Sequence, residues 1–224
     1  QFAVPVVGIT GSNGKTVVKE WLYQLLSPER IITRSPRSYN SQIGVPLSVW
    51  LLNETTELGI FEAGISEMGE MEALQSIIRP TVGVLTNIGG AHQENFYSVP
   101  DKCMEKLTLF KECDVVIYDG DNELISSCVG KSLFGAREIA WSKTDNERPL
   151  YISSIEKGET STTIRYRYLG MPNEYTIPFI DDASIENSLH CLAVCLYMML
   201  PAEKITERMA HLEPIAMRLE VKEG

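Results

Sequence analysis

The stretch Val4-Pro5-Val6-Val7-Gly8-Ile9-Thr10-Gly11-Ser12-Asn13-Gly14-Lys15-Thr16 decides the fold of this 224-residue chain. Residues 4–10 are largely β-branched and apolar, which is typical of a strand buried on both faces of a sheet. A glycine-rich turn follows, and apolar residues then recur at helical spacing from Val17 to Leu26, where Pro28 ends the predicted helix. Strand, glycine-rich turn and helix in this order predict an α/β fold that contains a phosphate loop.

The glycine-rich turn, residues 11–16, carries the strongest chemical signal. Glycines let backbone N–H groups approach phosphates, and the helix N-terminus adds partial positive charge. Lys15 can reach the β- and γ-phosphates of a nucleotide, and the Thr16 hydroxyl can bind Mg²⁺. The strict pattern GxxxxGK[ST] requires glycine where Ile9 stands. The alternative is a Gly/Asn turn followed by a chance Lys-Thr pair, but the flanking strand and helix favour phosphate binding.

Beyond this turn, strand-like and helix-like segments alternate as far as residue 141. Strands are predicted at 31–33, 58–63, 82–86, 114–118 and 139–141, and helices at 70–78 and 101–110, with a further helix closing over 48–52. The alternation predicts a mostly parallel sheet flanked by helices.

The pattern changes within about residues 150–181. Alternating segments at 151–155, 162–168 and 175–180 predict a small antiparallel subdomain attached to the main sheet. Closing helices are predicted at 185–200 and 202–212, separated by Pro201. We expect residues 1–214 to form one nucleotide-binding domain and residues 215–224 to form a linker to a further domain.

Composition excludes several classes of protein. The net charge of −10 argues against a general binder of nucleic acids or membrane surfaces, because those carry basic faces. The longest apolar run, residues 189–200, is too short to insert across a membrane. The five cysteines form no CxxC pair, and Cys191 and Cys195 lie one helical turn apart in an apolar stretch, which indicates core residues. A reducing, cytoplasmic location is therefore expected.

Glu62 stands at the end of the predicted strand 58–63. Ligands of open α/β sheets gather at the carboxyl ends of the strands. A carboxylate at this point could therefore hold a nucleotide's Mg²⁺ from a second side. The alternative is a strand-end carboxylate that caps the next helix.

Two further candidates are His92, in a Gly-rich loop after the strand at 82–86, and Lys106, on a predicted helix. A lone loop histidine is as easily structural as functional. Lys106 lies beside the apolar stripe of its helix, and this pattern alone favours a snorkelling lysine with a buried stem and an exposed ammonium. Asn187 and Arg218 carry no signal on their own.

Taken together, these segments resemble the Mur ligase family, whose members build the peptide of bacterial peptidoglycan. The family's phosphate loop also lacks the first glycine, so Ile9 fits it. The family's motifs are matched in order and spacing by Phe61-Glu62-Ala63-Gly64, Thr86-Asn87-Ile88, Ala91-His92-Gln93-Glu94-Asn95-Phe96 and Lys106-Leu107-Thr108-Leu109-Phe110. The segment Tyr39-Asn40-Ser41-Gln42-Ile43-Gly44-Val45-Pro46 is similar to the branch that adds D-alanyl-D-alanine. The resemblance covers nearly the whole chain.

The resemblance implies a site for ATP and two Mg²⁺ ions. The ATP phosphates would be held by Gly11, Ser12, Asn13, Gly14, Lys15 and Thr16. Thr16 and Glu62 would bind one Mg²⁺, and His92 would bind the second together with Lys106, which is carbamylated in this family. A neutral lysine amine that captures CO₂ becomes a carboxylate, a hard oxygen ligand suited to Mg²⁺. Lys15, His92 and Lys106 are thereby implied as catalytic residues.

The resemblance also implies contacts around the nucleotide and the substrate. Asn187 matches an asparagine near the adenine, and Arg218 matches a linker arginine that reaches back to the phosphates. Asn40 and Ser66 would face the muramoyl-peptide substrate.

One segment departs from the family pattern. The His-Asn pair that precedes the adenine asparagine in the family appears here as Ala183-Ser184. Residues 181–187 look instead like the ligase half of fused ligase–alanine racemase proteins. The adenine contacts are therefore expected to differ from the family's.

The implied reaction is ATP-dependent formation of an amide bond. ATP would convert a carboxylate of UDP-N-acetylmuramoyl-tripeptide into an acyl phosphate, and the amine of D-alanyl-D-alanine would displace phosphate. The family's enzymes have three domains and this chain resembles the central one, so we expect little or no ligation by it alone. Two alternatives stay open, namely a ligase like folylpolyglutamate synthase and a nucleotide-binding switch module that makes no bond.

Overall fold

The computed structural model describes residues 4–90, 95–132 and 135–215. These ranges contain nine strands: β1 (Val6–Thr10), β2 (Ile32–Arg34), β3 (Leu58–Glu62), β4 (Val82–Leu85), β5 (Val115–Asp119), β6 (Arg137–Ser142), β7 (Leu150–Lys157), β8 (Thr162–Tyr168) and β9 (Met171–Ile177). They form one sheet in the order β2-β3-β1-β4-β5-β6-β7-β8-β9. Pairing is parallel from β2 to β7 and antiparallel from β7 to β9. The predicted α/β fold with a mostly parallel sheet and an antiparallel part is confirmed.

The antiparallel strands continue the main sheet at one end. β6 and β7 are joined by two parallel pairs, Trp141 with Leu150 and Ser142 with Tyr151. β8 and β9 are joined by the two-residue turn Leu169-Gly170, in which both residues have positive φ (48° and 86°). This is the backbone geometry of a tight hairpin turn, and it lets β9 begin at Met171, four residues before the predicted start at 175.

The described residues also contain seven α-helices. They are α1 (Lys15–Leu26), α2 (Gly44–Val49), α3 (Glu70–Ile78), α4 (Val99–Leu107), α5 (Glu123–Ser132), α6 (Asp182–Tyr197) and α7 (Ala202–Met209). Helix α5 was not predicted, because its serines and Gly130 obscure its apolar stripe. The expected linker, residues 215–224, lies outside the described residues except for Ile215.

Capping and proline positions explain where the other boundaries differ from the prediction. Pro46 lies in the first turn of α2, where its missing N–H costs nothing, so the helix begins at Gly44. The side chain of Ser98 caps α4 by accepting a hydrogen bond from the backbone N–H of Asp101. Asp181 caps α6 through the N–H of Ser184 at 2.8 Å. The predicted end of the 101–110 helix is a 3₁₀ turn, Thr108–Phe110.

The sheet separates two hydrophobic layers. Helices α1, α6 and α7 cover one face, where Trp21 and Trp141 are buried. Helices α3 and α4 cover the other, around Phe61. Cys191 and Cys195 are fully buried in the first layer, which confirms their prediction as core residues. None of the helices in the described ranges combines the length and the apolar character that a membrane crossing requires.

Strand order brings three carboxyl ends together. β1 lies between β3 and β4, with Ile9 beside Glu62 and Thr10 beside Leu85. The loops that follow these three strands therefore lie close together at one edge of the sheet. The order of the strands changes direction at β1, since β2 and β3 lie on one side of it and β4 and β5 on the other. Open α/β sheets bind their ligands at such a point.

Candidate functional site

The phosphate loop joins β1 to α1 and depends on two glycines. Gly11 and Gly14 have φ values of 143° and 82°, a region that side chains with a Cβ rarely adopt. A Cβ on Gly11 would lie 1.9 Å from Oγ1 of Thr86, and one on Gly14 would lie 2.3 Å from Oδ1 of Asn187. Both positions therefore need glycine for backbone conformation and for space.

The segment after β4 holds the phosphate loop in place. Asn87 accepts hydrogen bonds from the backbone N–H groups of Ser12 (2.8 Å, to its carbonyl) and Asn13 (3.0 Å, to its side chain). The N–H of Gly89 donates to Oγ of Ser12 at 2.8 Å, and Oγ1 of Thr86 donates to the carbonyl of Asn13 at 2.5 Å. The Thr86-Asn87-Ile88 motif thus stabilises the conformation of the phosphate loop through hydrogen bonds. The sequence pattern of the motif did not predict this role.

Lys15 begins α1 and folds back over the loop. Its Nζ donates to the carbonyls of Gly11 (2.8 Å) and Ser12 (3.3 Å). Burial lowers the pKa of Lys15, Glu62 opposes this change and Lys102 adds to it. The first N–H groups of α1 have no acceptor within the helix. A phosphate at this point would meet both these N–H groups and the Lys15 cation.

Glu62 is fully buried at the end of β3. Its Oε2 lies 3.0 Å from Oγ1 of Thr16 and 3.5 Å from Nδ2 of Asn40, and its Oε1 accepts from Nζ of Lys19 at 3.2 Å. These contacts turn the carboxylate toward the phosphate loop. The alternative that Glu62 caps the next helix is wrong, since the N–H groups of Gly69 and Met71 at the start of α3 donate to Glu105 instead.

Lys106, on α4, points into the site. It is 3% exposed, and its Nζ donates to the carbonyl of Gly11 at 3.3 Å. The interpretation as a snorkelling lysine is therefore wrong, because the amine is buried along with its stem. Burial, with the neighbouring Lys15 and Lys102 cations adding to it, lowers the pKa of Lys106 to about 7. A large fraction of the amine is consequently neutral at neutral pH.

Predicted phosphate, catalytic and substrate residues line one cavity of about 180 Å³. Its walls include Lys15, Lys106, Asn40 and Ser66. A second cavity of about 150 Å³ follows the phosphate loop from Ser12 to Val17 and also reaches Asn40. A larger cavity of about 820 Å³ lies at the opposite, amino-terminal ends of β1 and β4, away from these residues.

Asn187 is brought to the phosphate loop from α6. It is 6% exposed, and its side chain packs against Gly14. The neighbouring Asn87 donates to Oε1 of Glu186 at 3.4 Å. This hydrogen bond connects the start of α6 to the segment that stabilises the phosphate loop. Ala183 and Ser184 form the first turn of this helix, where Ser184 takes part in the Asp181 cap.

Several residues of the site escaped the sequence analysis. His190 is fully buried, its Nδ1 accepts from Nε1 of Trp141 (3.2 Å), and its Nε2 lies 2.9 Å from the carbonyl of Thr86. Burial lowers its pKa to about 4, so the ring is neutral and Nε2 donates to Thr86. The signal available was a polar residue inside the apolar run 189–200.

Two buried lysines were also missed. Lys102, one turn before Lys106, is 2% exposed and donates to the carbonyl of Gly89 at 2.6 Å. Lys19, one turn after Lys15, is fully buried beside Glu62. Helical spacing from two predicted site residues was the signal that could have found them.

A cation would fit between Thr16 and Glu62. The donors there are a hydroxyl and a carboxylate, the hard oxygen ligands that Mg²⁺ prefers. Within residues 4–90, 95–132 and 135–215, no three His, Cys, Asp or Glu side chains gather at one point. Phosphate oxygens and water could complete the coordination of a cation at this point. The predicted residues His92 and Arg218 lie outside the described residues.

The chain belongs to the Mur ligase family. The family's middle domain matches residues 9–195. Among related proteins, UDP-N-acetylmuramoyl-tripeptide–D-alanyl-D-alanine ligase of Bacillus subtilis is 31% identical over 228 residues, which cover 99% of this chain and 47% of that protein. The ligase of the same name from Borreliella burgdorferi is 29% identical over 202 residues, covering 90% of this chain and 43% of that one. The chain thus spans about half the length of these relatives.

Solved structures show the same fold. MurF from Acinetobacter baumannii superposes with a TM-score of 0.85 at 20% identity, covering 95% of this chain and 47% of that one. MurF ligase from Thermotoga maritima in complex with ADP gives 0.83 at 24% identity, covering 96% and 49%.

Proposed function

We propose that this chain is the ATP-binding core of a ligase that adds D-alanyl-D-alanine to UDP-N-acetylmuramoyl-tripeptide during peptidoglycan precursor synthesis in the cytoplasm. The observation that carries the proposal is the convergence of Lys15, the Thr16–Glu62 pair and Lys106 around neighbouring cavities at the end of β1. Family membership and the whole-chain similarity to ligases of this name support the same conclusion.

The phosphate loop would bind and orient ATP. The N–H groups at the start of α1 and the Lys15 ammonium neutralise charge on the phosphates as the γ-phosphoryl group transfers, and such positioning supplies most of the catalysis in this chemistry. A carboxylate oxygen of the tripeptide attacks the γ-phosphorus, and ADP leaves. The amine of D-alanyl-D-alanine then attacks the acyl carbon of the acyl phosphate, loses a proton, and expels inorganic phosphate.

Thr16 and Glu62 would hold one Mg²⁺, and Lys106 as a carbamate would hold a second together with His92. Bound Mg²⁺ supplies charge neutralisation on the transferring phosphoryl group. Carbamylation needs a neutral amine to capture CO₂, and burial among other lysines favours the neutral form of Lys106. The added carboxylate would lie against the phosphate loop, since Nζ already contacts Gly11.

The surrounding residues complete the proposed site. Asn40 and Ser66 open onto the same cavity as Lys15 and would contact the muramoyl peptide. Asn187, packed on Gly14, would lie on the adenine side, and Arg218 would reach the phosphates from the linker.

Nucleotide binding tests the core of the proposal. Titration calorimetry with ATP and MgCl₂ should show one site on the 224-residue chain, and Lys15→Met should weaken binding at least about tenfold because the phosphate cation is lost. Lys204→Met is the matched control, since Lys204 lies on α7 and pairs with Glu29. Absence of ATP binding, or equal affinity of Lys15→Met, would show that the proposal is wrong.

Ligation itself is tested on the full-length protein. We expect product from muramoyl-tripeptide with D-alanyl-D-alanine and none from folate with glutamate. The 224-residue chain alone should form no product in either assay. Product from folate would favour the folylpolyglutamate branch, and ATP binding without any ligation by the full-length protein would favour a switch module.

A further inference from the structure

Lys19 is a fully buried lysine that has no role in the proposed mechanism. It lies on α1, one helical turn after Lys15. Burying an ammonium group costs several kcal/mol unless it is paired and hydrogen-bonded. The partners of Lys19 therefore indicate what the group does.

Four acceptors surround the Lys19 ammonium. Two are backbone carbonyls from the segment that follows β2, those of Ser35 (2.8 Å) and Arg37. The other two are carboxylate oxygens, Oε1 of Glu20 (3.1 Å) and Oε1 of Glu62 (3.2 Å). Glu20 is partly exposed and also pairs with Arg34, whereas Glu62 is as fully buried as Lys19.

The pairing makes the two oxygens of Glu62 unequal. Oε1 accepts a charged hydrogen bond from Lys19 and also lies 3.3 Å from Oγ1 of Thr16. Oε2 lies 3.0 Å from Oγ1 of Thr16 and 3.5 Å from Nδ2 of Asn40. Ser35 fixes the carboxylate's own backbone, because its Oγ accepts from the N–H of Glu62 at 3.3 Å. Glu62 is thus held with both oxygens near Thr16 and with the Lys19 ammonium on the Oε1 side.

This inequality matters for the choice of metal ion. Mg²⁺ requires near-octahedral coordination and takes single oxygens from carboxylates, whereas the larger Ca²⁺ readily accepts both oxygens of one carboxylate. The ammonium beside Oε1 opposes a second cation at that oxygen, so Glu62 is expected to bind a metal ion through Oε2. Binding through one oxygen suits Mg²⁺, whereas Ca²⁺ gains from the two-oxygen contact.

We propose that Lys19 is a positioning residue that makes Glu62 a one-oxygen ligand and thereby selects Mg²⁺ over Ca²⁺ at the nucleotide. The inference rests on the cation site of the proposed function. It assigns the ion selectivity of that site to Lys19, which would act through Glu62 without contacting the nucleotide or the metal ion. The carbonyls of Ser35 and Arg37 also accept hydrogen bonds from the Lys19 ammonium. They would therefore hold the ammonium in place when Glu62 binds an ion.

The test compares ATP affinity in MgCl₂ and in CaCl₂ by titration calorimetry on the 224-residue chain. We expect the wild type to prefer Mg²⁺ by about tenfold or more, and Lys19→Met, which keeps the length of the side chain but removes its charge, to lose most of that preference. The loss should come mainly from tighter binding in CaCl₂. Lys204→Met should keep the wild-type ratio.

Ser35→Ala separates selectivity from general loosening of the site. It removes the hydroxyl that accepts from the N–H of Glu62 but leaves the Lys19–Glu62 pair. We expect a lower melting temperature with an unchanged Mg²⁺/Ca²⁺ ratio. If Ser35→Ala and Lys19→Met change the ratio equally, the role of Lys19 is only structural and the inference is wrong.

The wild-type measurement can still overturn the inference if Lys19→Met does not fold. Equal ATP affinity in the two salts overturns the inference and leaves the proposed function standing. No ATP binding in either salt overturns the proposed function itself.

Discussion

The carboxyl ends of β1, β3 and β4 and the hairpins of β7, β8 and β9 belong to one sheet but carry their charges differently. At the carboxyl ends, Lys19, Glu62 and Lys106 are at most 3% exposed. On the hairpins, Arg165 pairs with Glu156 and with Glu174, and all three side chains are about half exposed.

The difference teaches which charges are available for chemistry. An exposed pair is already solvated, so it adds little stability. A buried charge has given up its water and is held only by the partners that the fold supplies. Its pKa and its affinity for ligands therefore depend on the surrounding structure, as the lowered pKa of Lys106 illustrates.

The largest effect is expected from removing the buried amine of Lys106. In the full-length protein, Lys106→Ala should lower the ligation rate about a thousandfold or more, because the proposed function makes this residue a metal ligand worth several kcal/mol. Short carboxylic acids added to this variant should restore part of the rate by replacing the carbamate. Lys204→Ala is the control, and full activity of Lys106→Ala without added acid would exclude the carbamate.

A pair of glycines compares the two regions directly. Gly14 and Gly170 have nearly the same φ (82° and 86°), but a Cβ on Gly14 would collide with Asn187, whereas one on Gly170 meets nothing within 4 Å. Gly14→Ala should lower the free energy of unfolding by about 4 kcal/mol and abolish ATP binding, and Gly170→Ala should lower it by about 1 kcal/mol with ATP binding unchanged.

Urea unfolding with ATP titration of each variant checks this pair. Equal losses of stability would mean that backbone strain alone governs both positions. In that case the contact between Gly14 and Asn187 would not matter.

His190 predicts a dependence of stability on acidity. The folded protein holds its pKa at about 4 against an ordinary value of 6.5. Below pH 6.5 the unfolded chain therefore binds a proton that the folded protein refuses. The stability present above pH 6.5 is lost as the pH falls toward 4, by about 3 kcal/mol in total.

Urea unfolding between pH 7 and pH 4 measures this loss. His190→Gln should flatten the slope, whereas His211→Gln, at an exposed position just after α7, should leave it as in the wild type. An unchanged slope in His190→Gln would show that carboxylates alone cause the acid sensitivity.

The smallest effect is expected on the hairpins. Arg165→Ala removes two exposed cross-strand ion pairs, and the melting temperature should change by no more than about 3 °C, less still at high salt. ATP affinity should stay the same. A large loss of stability would contradict the contrast drawn between the two regions.

Local patterns predicted much of the fold. Buried strands, the phosphate loop and the start of α1 follow from residues that are neighbours in sequence, so periodicity and spacing identify them. The predicted ends of helices and strands were wrong where a helix cap or a tight turn sets the boundary. Examples are the Asp181 cap of α6 and the Leu169-Gly170 turn before β9. Helix α5 was missed because its stability comes from packing on α4 and β5 and its own pattern is weak.

The sequence by itself determined that a phosphate loop follows a buried strand and that Glu62 ends another strand of the same parallel sheet. Spacing along the chain is enough for both statements, because strand ends in a parallel sheet meet at one edge.

Only the tertiary structure decided the state of the charged groups around that loop. Pattern alone favoured an exposed ammonium on Lys106 and gave no role to Lys19. Burial depends on the strand order that brings α1, β3 and α4 together. The cost of burying a charge depends in turn on partners far away in sequence, which no local pattern contains.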